Sequence, residues 1–450
     1  YIMSIMHALE PTSAIPNDAR TSERFALSRE PFETPPKRVP PSTHTHYAPR
    51  MLRFVALLVL AACASDPDPL RARPPADSPA RIAYDLGLTE HLGRAEPVET
   101  IERGDAISYE FDPADGPVCM RGAPFRASVR DLPDDDLFIF LQGGGACWSE
   151  FCLAVTTAPP GIPDVNVLDR ALPENPFADF DVLYVPYCDG SLFSGSNELD
   201  DDGDGTPERL HHGLENLSAA LTVAHRHFPA PRRVVLAGSS GGGFGTILAS
   251  FLVRYVYPDA PLLVINDAGL GVVRGEDPAF VDGLLDELNA RRFVPPDCPD
   301  CVGDGHITGF VRYFLDHDPN VRVAAISSWD DLVIGDLFLK LEPSTWRESL
   351  RDETDALHGA HPDRYRRFFF AGRAHTALLG DPTGIVGRDL TSVEVPPEVL
   401  ASLGDLELES LETAAIGELR LEAWLRALLA DDFDAWVDTL EAPGEIPTNE

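Results

Sequence analysis

The chain is 450 residues long, with 36 Lys and Arg against 73 Asp and Glu and a formal net charge of −37. A surface this acidic repels nucleic acid, anionic membranes and long polyanionic substrates, and it favours solubility. The length and the 44% hydrophobic content suit one large folded domain.

Residues 1–50 are rich in Pro, Ser, Thr and His and show no sustained apolar period, which reads as a segment upstream of the mature protein. From Met51 the sequence is MLRFVALLVLAACASDPDP, with Arg53, an apolar run from Phe54 to Ala62, and Cys63. That run is too short to span a bilayer and reads as a signal peptide over 51–63. Leu60-Ala61-Ala62-Cys63 resembles a lipobox, in which Cys63 is lipidated and becomes the new N-terminus; the alternative is an ordinary secretory signal. With Ala64 after the cysteine, resemblance to Gram-negative lipoproteins implies the outer membrane, and otherwise a periplasmic or secreted protein. Residues 64–80 then form a tether and 81–450 a single domain, expected to be monomeric and to meet membrane only through the lipid.

Within that domain short apolar runs recur: Leu137–Leu141, Val182–Val185, Val234–Ala237, Leu262–Ile265, Val321–Ile326 and Phe368–Ala371. Helical periods lie between them, as in Leu214–Phe228 and Gly243–Tyr257, and Leu419–Leu429 reads as a closing helix. This alternation predicts an α/β fold, a mainly parallel sheet with helices on both faces. Chemistry in such sheets sits at the carboxyl ends of the strands, and the reactive residues fall there. Gly143-Gly144-Gly145 follows the first run, Ser240 the third, Asp267 the fourth, Asp330 and Asp331 the fifth, and His375 the sixth.

The third run opens VVLAGSSGGGFGTI, residues 234–247. Neither dinucleotide nor phosphate-loop spacing fits it, but G-x-S-x-G fits as Gly238-Ser239-Ser240-Gly241-Gly242. A serine on a sharp strand-to-helix turn needs tiny neighbours two residues to either side, which favours Ser240 over Ser239 as nucleophile. The order Ser, Asp, His along the chain is that of the α/β-hydrolase triad. His375 is the expected base, and the acid is ranked Asp330, then Asp331, then Asp267. Backbone N–H groups of Gly144, Gly145 and Gly241 are the expected oxyanion hole.

Past Cys63 six cysteines remain, an even number that implies disulfides in an exported chain. Cys298 and Cys301 could also form half of a zinc site, but no second closely spaced Cys or Cys/His pair accompanies them. The insertion LDDDGDGTPE, 199–208, places Asp200, Asp202 and Asp204 before Gly205, as at the start of a calcium loop. The twelfth position is His211 rather than glutamate, with Glu208 as the substitute. The readings are a structural calcium or a solvated acidic turn; no cofactor is required.

Together CMRGAP (119–124), FLQGGGACW (140–148), YCDGSLFSG (187–195), GSSGGG (238–243), NDAG (266–269), SSWDD (327–331) and AGRAH (371–375) resemble the pectin acetylesterase family, which includes Notum-like serine carboxylesterases. The resemblance implies an α/β-hydrolase fold, serine carboxylesterase activity without a cofactor, and the triad Ser240, Asp330 and His375. It also implies the pairs Cys119–Cys188 and Cys147–Cys152, leaving Cys298–Cys301. Gln142, Gly241 and Ala146 depart from the family's usual glutamate, alanine and aromatic residue, and leave the substrate open. The expected function is removal of acyl groups, acetyl first, from an ester-bearing substrate such as an acetylated polysaccharide. The alternatives are a longer-chain lipase or deacylase, and a non-catalytic lipid-anchored binding protein on a hydrolase scaffold.

Overall fold

Each of the six apolar runs falls in a strand; five strands contain their run whole and extend slightly beyond it, and the sixth starts earlier but ends at Phe370, one residue before Ala371. In chain order the strands are β1 (Pro97–Arg103), β2 (Ala106–Phe111), β3 (Arg126–Arg130), β4 (Asp136–Leu141), β5 (Gly145–Trp148), β6 (Phe151–Ala154), β7 (Asp181–Val185), β8 (Asn197–Leu199) and β9 (Arg209–His211). They continue as β10 (Arg233–Ser239), β11 (Leu262–Asp267), β12 (Val321–Ser328), β13 (Tyr365–Phe370), β14 (Ala415–Ile416), β15 (Leu419–Arg420) and β16 (Thr439–Leu440). The computed structural model describes residues 69–379 and 409–444.

Ten strands make one sheet in the order β1-β2-β3-β7-β4-β10-β11-β12-β13-β16. From β7 to β16 every neighbour is parallel. The β1, β2 and β3 edge is antiparallel and joins β7 antiparallel. The fold is therefore α/β-hydrolase-like, with an antiparallel edge added to the expected parallel sheet.

The central strands read as continuous apolar runs because both faces are covered. Leu137, Ile139 and Leu141 of β4 point into one core with Val234, Leu236 and Val264. Phe138 and Phe140 point into the other with Val235, Ala237 and Ile265. The helices Gly213–His227 and Gly241–Val256 contribute to the first core, and Leu421–Leu429 closes the second through Trp424 and Leu425. Part of the expected tether packs on the domain, since Leu70 is buried and Tyr255 Oη donates to the Ala72 carbonyl at 2.8 Å.

The parallel register aligns the strand ends that carry the site. Ser239 at the end of β10 pairs with Asp267 at the end of β11, and Ser328 of β12 pairs with Phe370 of β13.

Candidate active site

Ser240 is the residue between β10 and the helix Gly241–Val256, at φ 56° and ψ −122°. A non-glycine residue in that region is held there only by its surroundings. Its N–H donates to the Asp267 carbonyl at 2.8 Å, and its carbonyl accepts from the Phe244 N–H at 3.0 Å, which starts the helix. The flanking glycines are sterically required. A Cβ on Gly238 would strike the Gly242 carbonyl, and one on Gly242 would strike the Leu141 carbonyl. The turn thus follows from the G-x-S-x-G spacing, with Ser240 at its apex.

His375 lies beyond β13 and is buried. Its Nδ1 faces both oxygens of Asp331, at 3.0 and 2.9 Å. Its Nε2 is buried and makes no hydrogen bond among the described residues. A base needs that second nitrogen available for a substrate-side proton.

The carboxylate on the imidazole is Asp331, not the first-ranked Asp330. Asp330 forms a bidentate pair with Arg347, Nε to Oδ1 at 2.5 Å and Nη2 to Oδ2 at 2.6 Å, and both side chains are buried. Asp331 caps the π-helical segment Leu332–Phe338, accepting from the Val333 and Ile334 N–H groups at 2.9 and 3.0 Å. Two backbone donors fix the carboxylate while it faces the imidazole. The helix-cap position before Leu332-Val333-Ile334 is the sequence signal that distinguishes the two; the Arg347 partner carries no local signal.

Asp267, third in the ranking, is also elsewhere. It accepts from Ser239 Oγ at 2.8 Å, from the Leu378 N–H at 2.9 Å and from the Ala377 N–H at 3.1 Å. Burial pushes its carboxyl up to about 6, opposed by the Leu378 N–H, the Ser239 hydroxyl and the Ala377 N–H. Ser239 is fully engaged there, as a structural hydroxyl. One carboxylate thus holds the residue before Ser240 and the residues just after His375.

The loop after β4 leads into the β5–β6 hairpin, which the Cys147–Cys152 disulfide closes. Gly145 and Gly241 border the same cavity as Ser240. Gly241 is the first residue of its helix, so its N–H has no intrahelical acceptor. Gly144 is packed by Tyr187 and Val155, and its carbonyl accepts from the Val155 N–H at 2.9 Å.

The cavity has a volume of about 90 Å³ and is apolar beyond Ser194 and Ser240. Phe244, Ile247, Leu284, Phe310 and Phe338 are among its lining residues. Trp148 lies against Phe280, ring centroids 5.6 Å apart, and Phe151 against Phe338 at 5.1 Å, so the hairpin forms one wall. These lining residues are spread over several elements, and the sequence reading did not find them.

The segment that follows β16 bonds to Trp329 beside Asp330, to Ala371 and to the Asp330 partner Arg347. Trp329 Nε1 donates to the Glu441 carbonyl at 2.7 Å, the Ala371 N–H to Glu441 Oε2 at 2.7 Å, and Arg347 Nη1 to the Gly444 carbonyl at 2.9 Å.

Cys119 bonds Cys188 and Cys298 bonds Cys301, so the latter two are a disulfide rather than half of a zinc site. Three disulfides fit an exported protein. Carboxylate oxygens of Asp200, Asp202, Asp204 and Glu208 come within 4.8 Å of one another. His211, the twelfth loop position, lies in β9 and donates from Nδ1 to the Asp189 carbonyl at 2.8 Å, apart from that group. Cys63 and the other residues of 51–63, expected to be a signal peptide, lie outside the described residues.

A family model described as pectinacetylesterase matches residues 133–274. The match takes in the glycine loop, Ser240 and Asp267, and ends before Asp331 and His375. No curated protein matches the chain.

Proposed function

We propose that this member of the pectinacetylesterase family is an exported serine carboxylesterase with Ser240 as nucleophile, His375 as base and Asp331 as acid. The observation that carries the reading is the buried imidazole held at Nδ1 by Asp331, with Nε2 making no hydrogen bond among the described residues, together with a serine on a strained turn whose N–H donates to Asp267, the residue that also holds Ala377 and Leu378 of the histidine loop.

In this mechanism Ser240 Oγ attacks the ester carbonyl carbon while its proton passes to His375 Nε2. The carbonyl electrons move onto oxygen, which lies against the N–H groups of Gly144, Gly145 and Gly241. Collapse re-forms the carbonyl, breaks the bond to the alcohol oxygen and returns the proton to that oxygen. Water then attacks the acyl-serine by the same route, releasing the acid and restoring Ser240. Asp331 orients the imidazole and stabilises its charged form.

The family points to acetyl esters as substrates, with a glycan as the alcohol side. A second reading is favoured by the cavity beside Ser240. By the same measure one water needs only about 10–15 Å³, so an acetyl group leaves much of the apolar space unfilled. That space suits a longer apolar acyl chain.

A chain-length series of p-nitrophenyl esters tests both readings. Turnover that peaks at acetate supports the acetylesterase, and a peak at butyrate or beyond supports the longer-chain deacylase. Turnover that survives Ser240→Ala would remove Ser240 as nucleophile from both readings, and no turnover of any ester in the series would leave a binding scaffold. Attachment through a lipidated Cys63 is part of the proposal, checked by incorporation of labelled palmitate that Cys63→Ser abolishes.

A further inference from the structure

We propose that Asp267 is a positioning residue, a clamp that holds the nucleophile turn and the His375 loop in register. The inference rests on the triad reading above. The two halves of the residue do different jobs. Its main-chain carbonyl takes the Ser240 N–H at 2.8 Å. Its side chain takes the Ser239 hydroxyl and the N–H groups of Ala377 and Leu378.

The choice of a carboxylate here has a physical cost. Asp267 is only 1% exposed, and a buried anion is expensive. A carboxylate has two acceptor oxygens and can take all three donors, whereas an amide has one acceptor oxygen and would turn its NH₂ toward a backbone N–H. A leucine or alanine would orphan two buried N–H groups. The carboxylate is therefore suited to joining a hydroxyl at the end of β10 to two consecutive amides of the histidine loop.

Because these contacts set where His375 sits relative to Ser240, losing them changes the geometry of proton transfer more than substrate binding. The test is Asp267→Asn, assayed with p-nitrophenyl butyrate. The expected result is a kcat lowered at least about tenfold with KM within about twofold of the parent, in protein that still melts cooperatively. A kcat equal to the parent's, or a loss carried by KM, overturns the proposal. Hydrogen–deuterium exchange gives a readout independent of activity. In the parent protein the amides of Ala377 and Leu378 are expected to be protected, and in the variant they exchange faster while β10 and β12 do not. Unprotected amides in the parent overturn the proposal even if the variant does not fold. Full turnover by Ser240→Ala would instead overturn the triad reading, leaving the exchange result to judge the clamp.

Discussion

Asp330 and Asp331 are adjacent in sequence and buried, yet they face different partners. One residue of register beyond β12 decides which carboxylate meets His375, and strand-end reasoning has no such resolution. This difference gives two separable outcomes. Asp331→Asn is expected to lower turnover by roughly 10³ to 10⁴ by favouring the wrong imidazole tautomer, with the fold retained. Asp330→Asn leaves the Arg347 charge buried with a weakened partner. It is expected to cost up to about 3 kcal/mol in denaturant unfolding, with kcat per folded molecule close to the parent's. The serine, by contrast, was legible from sequence, because steric demands at Gly238 and Gly242 leave a fixed spacing. Gly242→Ala should make the turn unbuildable without backbone movement and lower stability by about 1–3 kcal/mol, read from a urea titration.

Elements buried on both faces are the ones a sequence announces. β4, β10 and β11 have no solvated face, so each carries an unbroken apolar run. β1 (PVETIER) is mostly exposed and charged, and β2 alternates, so neither forms a run and the antiparallel edge goes unseen. The helix Pro343–Ala360 that supplies Arg347 is similarly polar, burying chiefly Trp346, Arg347, Leu350, Thr354 and Leu357. The disulfides differ in what they constrain. Cys119 and Cys188 are 69 residues apart and Cys147 and Cys152 only 5. On loop entropy alone, removing the first pair should cost about 4 kcal/mol and the second about 2 kcal/mol. Paired Cys→Ser variants compared by chemical denaturation check that order. The Cys147–Cys152 variant should also show weaker discrimination among acyl chain lengths, since its hairpin forms a wall of the cavity.

At the scale of the whole molecule, the formal charge of −37 is joined by acidic groups inside the fold. Burial pushes the Asp189 carboxyl up to about 7, with Glu215 adding to the shift and the Ser191 hydroxyl and His212 opposing it. A carboxyl raised in the folded state contributes stability that is fully present below its ordinary value and is lost as pH rises through about 7. Asp189→Asn removes this dependence. The variant's stability relative to the parent should therefore increase between pH 4 and pH 8, by an amount on the order of a few kcal/mol. Thermal melts across that range check the sign; a difference that shrinks with rising pH would contradict it.

The contacts from Trp329, Ala371 and Arg347 to Glu441 and Gly444 also have a consequence in time. The proposed site residues run from Gly144 to His375, and Trp329 beside Asp330, its partner Arg347, and Ala371 ahead of His375 are all tied to the segment that follows β16. Contacts between such distant segments form late, because chain closure must precede them. A refolding chain, or one still being synthesised, can therefore build most of its sheet before it can cleave an ester. During refolding, turnover should return after the far-ultraviolet circular dichroism signal has recovered, and the lag measures the docking of that final segment.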